Sequence, residues 1–159
     1  MKIKSIVPII LCICIINIFR IETKMLIPII ISTTNSTVGK LNSIGIKNNN
    51  NLASIIDFAA DRYNLSPDFI IALTQTESGF NENAISNKGY KGLMQIPVKV
   101  PPDANILIGS RIFREKMALT NDDVKKAICL YKGYKIGSGD GIREATKVIK
   151  LLQIIKTNT

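Results

Sequence analysis

The chain has 159 residues, 46% of them hydrophobic, a size and composition that suit one domain around a single core. It contains no histidine, which excludes Ser-His-Asp and Cys-His nucleophile pairs, HExxH metal sites and any imidazole acid/base. The formal charge of +9 is uneven: residues 1–50 hold six Lys/Arg against one acid, and residues 51–159 hold fifteen against eleven. The part able to fold is thus only modestly basic, and it lacks the aromatic motifs and dense cationic stripe of a nucleic-acid footprint.

In chain order, Lys2 and Lys4 precede an uncharged run from Ser5 to Phe19, closed by Arg20, which is the layout of a secretory signal. The run is short of the roughly twenty residues that span a bilayer, and no small-x-small cleavage site follows it. A second apolar stretch runs from Met25 to Ile31, so residues 1–31 read either as a signal peptide or as a membrane anchor. Residues 32–51 turn to Ser, Thr, Asn, Gly and Lys without sustained periodicity and read as a flexible linker.

Residues 52–159 read as an all-α domain. Leu52, Ile55, Ile56, Ala59 and Ala60 recur at helical spacing up to Tyr63. Ser66-Pro67-Asp68 then supplies an N-cap, a proline at the first helical position and an acid in the first turn of a helix reaching about Glu77, before Gly79. Further helices are predicted over Asp103 to Met117, Asn121 to Tyr131 and Gly141 to Ile155, the last with a stripe of Ile142, Ala145, Val148, Ile149, Leu152 and Ile155. No strand alternation appears.

Cys12 and Cys14 lie in the first apolar run and Cys129 stands alone, so neither a disulfide framework nor a zinc site can be drawn, and Cys129 reads as a small buried hydrophobe. Gly137 to Gly141 reads as a loop before the last helix, since it follows no strand and lacks the lysine of a phosphate-binding loop. No metal or organic cofactor is expected.

The chemistry concentrates on the second helix of this domain. Phe69, Leu73 and Glu77 fall at i, i+4 and i+8, so a carboxylate shares the face that seeks the core. Position alone leaves two readings open: a structural pairing with a lysine or the following turn, or a carboxylic acid whose pKa burial raises for proton transfer. Downstream come Glu77-Ser78-Gly79-Phe80, Asn83 to Gly89 with Ser86, Gly92-Leu93-Met94-Gln95-Ile96-Pro97, and Leu130-Tyr131-Lys132-Gly133. This ordered set, spread over roughly Leu52 to Gly133, resembles the catalytic domain of lytic transglycosylases of the soluble type.

The resemblance implies a lysozyme-like helical fold with a glycan groove and Glu77 as sole catalytic acid/base. It implies substrate-binding roles for Ser86, for Met94 against a sugar face, for Gln95 on its polar groups, and for Tyr131 as a donor to the glutamate or the N-acetyl group. The implied reaction cleaves the MurNAc-GlcNAc β-1,4 bond of peptidoglycan and closes a 1,6-anhydro ring. Glu82 and Asp103 read as turn and helix-start residues, so no second catalytic acid stands out. The sequence departs from the family at Lys132, where asparagine is usual, and at Tyr90, where a small residue is usual. An ammonium near Glu77 would favour its ionised form.

The alternatives are a hydrolase resembling goose-type lysozyme, and a catalytically degenerate peptidoglycan-binding or assembly protein. The export segment implies a periplasmic or cell-envelope setting, with membrane attachment through the N-terminus. Exported domains of this kind resemble those that serve envelope-spanning secretion or conjugation machines, or those that phage carry.

Overall fold

The computed structural model describes residues 31–47 and 49–157. The expected signal or anchor therefore lies almost entirely outside the described residues, and among these no helix is long and apolar enough to cross a membrane. A helical segment over 31–43, α1, is followed by α2 (Asn50–Tyr63), α3 (Pro67–Ser78), α4 (Pro102–Leu119), α5 (Val124–Tyr131) and α6 (Gly139–Thr157). Among the described residues the extended pairing is confined to two isolated antiparallel bridges, Ile85 with Lys91 and Lys91 with Ile96.

α3 is the central element, packed between α2 and α6, while α4 lies against α2 and α5, and α5 against α6. Every side chain from Phe69 to Leu73 is buried, wider than a one-faced helix would need. Ser66 caps it as expected, its hydroxyl accepting the Phe69 N–H, and Gly79 ends it in the left-handed conformation. The Phe69 and Phe113 rings, 4.4 Å apart, pin α3 to α4, and Phe113 meets Tyr131 of α5 edge-on.

Three expectations need correction. Residues 32–51 were expected to be a flexible linker, yet most of them form α1 and its connection to α2. Leu41 is fully buried in the core, the Thr37 hydroxyl donates to Asp57 of α2 at 2.6 Å, and Lys40 pairs with Asp68 of α3 at 2.7 Å. Thr37, Leu41 and Ile44 lie one helical turn apart, a stripe too sparse to read alone, and tertiary contact supplies what propensity does not. The helix expected from Asn121 begins at Val124, because Asn121 and Asp122 both take positive φ in a turn that leaves Asp123 to cap Lys126. In α6, Ile142 of the predicted stripe is exposed, and Gly141 turns inward instead, where a Cβ would come within 3.1 Å of the Cys129 sulfur. Cys129 is buried, as its sequence context suggested.

The depth of Leu41 gives a direct test of α1. Leu41→Ala should lower unfolding stability by about 2–5 kcal/mol in chemical denaturation. A tether would leave the midpoint unmoved.

Candidate active site

α3 ends at Ser78, and Glu77, one residue earlier, lines a hollow of 470 Å³. Ser86, Lys88, Tyr90 and Gln95 of the α3–α4 connection line it together with Tyr131, Lys132, Tyr134 and Glu144 from α5, the loop after it and α6. The connection has little regular structure of its own, so its shape depends on what grips it.

The grip falls on the backbone of Leu93 and Met94. Ser78 of α3 donates its hydroxyl to the Leu93 carbonyl at 2.7 Å, and Tyr131 of α5 donates to the Met94 carbonyl at 2.7 Å. Asn105 of α4, fully buried, accepts the Met94 N–H at 2.7 Å and donates to the Lys91 carbonyl at 3.0 Å. Two glycines make this approach possible. A Cβ on Gly92, at φ +77°, would lie 2.3 Å from the Asn105 amide nitrogen, and one on Gly109 would lie 2.6 Å from Met94 Cβ.

Against this geometry the sequence-derived site residues divide. Glu77, Ser86, Gln95 and Tyr131 are brought together around one hollow. Met94 is not among them: its side chain is wholly buried against Gly109 and Ser110, so the groove-wall contact expected of it is unavailable in this arrangement. Met94 serves the site through its backbone. Ser86 closes its own turn, accepting the Tyr90 N–H at 3.1 Å. Gln95, at φ +49°, donates its amide to the Gly92 and Ala84 carbonyls. The Tyr131 hydroxyl, expected to donate to the glutamate or to the N-acetyl group of a substrate, donates here to the Met94 carbonyl. Glu82 and Asp103 are exposed and line neither side of this hollow, so they take no part in it.

Lys132 and Glu144 set the electrostatics. The Lys132 side chain is 7% exposed and its ammonium lies 2.9 Å from Glu77 Oε1 and 3.6 Å from Glu144 Oε2. The sequence argument that this ammonium would depress the Glu77 pKa captures only the smaller influence. Burial pushes the Glu77 carboxyl above its ordinary value, Lys132 opposes this, and the negative charge of Glu144 adds to the rise. Glu77 also sits in the last turn of α3, where the negative end of the helix dipole faces it. Glu144 is lowered, first by its hydrogen bond from Lys147 and further by Lys132. Tyr131 is held well above its usual range by burial and by the Glu77 charge, so it stays a neutral donor.

Sequence reasoning did not single out Ser78, Asn105 or Glu144 for these roles. Glu144 carried a faint signal, since it lies one turn from both Gly141 and Val148 on the buried flank of α6. Ser78 and Asn105 carried none beyond their neighbours.

Because the Glu77 pKa is higher folded than unfolded, folding favours its protonated form. That contribution is complete below the ordinary carboxylate range and is lost as pH rises through the raised value. The stability difference between Glu77→Gln and the parent, followed by denaturation against pH, should be flat in acid and shift in favour of the variant at higher pH. A pH-independent difference would show that Glu77 does not titrate in that window.

Residues 54–99, which include Glu77, Ser86 and Gln95, match the model of the transglycosylase SLT domain. The fold is similar to that of an inactive mutant of the lytic transglycosylase Slt from Pseudomonas aeruginosa, with a TM-score of 0.57 and 19% identity, over 65% of this chain and 24% of that one. This chain thus spans about a quarter of the length of that protein. The matched segment is thus similar to the transglycosylase SLT domain, and the helical frame around it shares the fold of that solved structure.

Proposed function

We propose that the chain is a peptidoglycan lytic transglycosylase with Glu77 as its acid/base. The observation that carries this reading is a carboxyl with a raised pKa, 12% exposed, lining a hollow beside a connection gripped into place by three helices. Burial that raises the pKa of a carboxyl makes it better able to hold a proton and to deliver it in a largely dry setting.

In the proposed reaction, Glu77 gives its proton to the glycosidic oxygen as the bond to muramic acid C1 breaks. The substrate's own N-acetyl group stabilises the cationic centre, so a second carboxylate is not required there. The Glu77 carboxylate then takes the proton from the C6 hydroxyl of the same sugar, whose oxygen closes onto C1. The proton ends on the departing sugar, Glu77 is restored, and no water is consumed. Ser86 and Gln95 line the hollow and are the proposed polar contacts to the sugar; Tyr131 contributes by fixing the Met94 carbonyl. We read Lys2 to Arg20 as the export signal such a substrate requires, so the proposed site of action is the cell envelope.

One observation favours a second reading. Glu144, whose carboxyl is held below its ordinary range, lies across Lys132 from a Glu77 carboxyl held above it, and two carboxyls pushed apart in this way are what a hydrolase would use as base and acid on water. Against it, both Glu144 oxygens are engaged, Oε1 by Lys147 at 2.5 Å and Oε2 by Lys132.

The full chain incubated with purified peptidoglycan should release anhydro-muropeptides, read by mass spectrometry. Glu77→Gln should reduce release by roughly 10²–10⁴-fold, the span of general acid/base catalysis. Reducing-end products would replace the transglycosylase by a hydrolase. No release from a folded parent would leave a wall-binding role.

A further inference from the structure

A nearly buried ammonium beside one carboxylate would hold that carboxylate ionised, and protonating its partner would leave a buried cation uncompensated. Lys132 escapes this because it has two carboxylates within ion-pairing distance. Glu144 is in turn tied to Lys147, whose own side chain is exposed, so it stays in place whichever state Glu77 adopts. The backbone fixes the other end of the arrangement: Lys132 caps α5, its N–H bonded to Ile128, and Gly133 follows in the left-handed conformation.

We propose that Lys132 and Glu144 form a positioning pair that governs when Glu77 holds its proton. While Glu77 is protonated, Glu144 keeps the Lys132 ammonium compensated. As the proton leaves, the carboxylate that forms is met by the same ammonium, already 2.9 Å from Oε1. The pair therefore stabilises the charge that develops during bond cleavage without forcing it to exist beforehand. This inference rests on the reading of Glu77 as the acid/base.

Other ionisable groups face the same hollow. Lys88 and Tyr90 come from the α3–α4 connection, Tyr131 from α5, and Tyr134 from the loop that follows it. Lys88 is exposed, with its ammonium 6.0 Å from the Tyr134 ring centre, and Tyr131 is committed to Met94. The pair is the closer influence on Glu77.

The test measures Glu77 twice in the full chain: its titration by carboxyl carbon NMR, and the alkaline limb of kcat/KM for anhydro-muropeptide release. Glu144→Gln leaves Lys132 to Glu77 alone, so the titration midpoint and the alkaline limb should both move to lower pH, by about one unit. Lys132→Met should move both upward and reduce the maximal rate, since the new carboxylate loses its cation. Midpoints and limbs that coincide with the parent's in both folded variants would overturn the inference and leave the pair a packing feature. Should Glu144→Gln fail to fold, Lys132→Met alone decides by the same criterion. Glu77 midpoints that shift as described in the variants, with no product released by the parent, would instead overturn the transglycosylase reading, while the control of the Glu77 proton by the pair would stand.

Discussion

The site depends on the capture of a short stretch of main chain, the carbonyls of Leu93 and Met94 and the N–H between them, by side chains from three helices. Ser78, Asn105 and Tyr131 each supply a group, and each is itself placed by its helix: Ser78 at the end of the central helix, Asn105 buried inside α4, Tyr131 on α5 against Phe113. The connection between α3 and α4 has only two isolated antiparallel bridges of its own, so these bonds fasten to the helices a segment that its own backbone pairing holds only locally. Gly92 and Gly109 are the steric conditions for them, since a methyl group at either position would occupy space already filled by Asn105 or Met94.

The same arrangement explains how a carboxyl can occupy the end of the most buried helix. Glu77 is one residue before Ser78, so the bond that anchors the connection also fixes the last turn of α3 and the direction of the carboxyl. Its neighbours then divide the electrostatic work. Burial and the helix end favour the neutral acid, Lys132 favours the anion, and Glu144 restrains Lys132. A single cation shared between two acids is a compromise between fixing the charge and leaving it free to change.

Much of this was legible in the sequence, for physical reasons. Helix α3 announced itself through Ser66, Pro67 and Gly79, which act locally and need no partner to be read. Glu77 stood out because charge on an apolar face is costly and therefore informative. Ser86, Gln95 and Tyr131 were found through an ordered pattern, and the fold assembles them at one hollow. Met94 was misjudged because a pattern marks position, not the direction of a side chain, and Gly109 fifteen residues later decides that Met94 points inward. The helical segment over 31–43 was illegible because Thr37 and Lys40 are poor signals until Asp57 and Asp68 are brought opposite them. Glu144 escaped notice for the same reason, as its meaning depends on an ammonium twelve residues earlier in the chain.

The grip on Leu93 and Met94 also bears on the order of events in folding. Contacts among α2, α3 and α1 join neighbours in sequence and can form early, whereas the grip needs α3, α4 and α5 to be in place together. On this ground the hollow is expected to be completed late, once the frame exists. In the native state the Met94 amide is bonded to the buried Asn105 of α4, so its exchange with solvent should require α4 to come away, and this wall of the hollow should share the cooperativity of the core and not the looseness usual for a loop of its length.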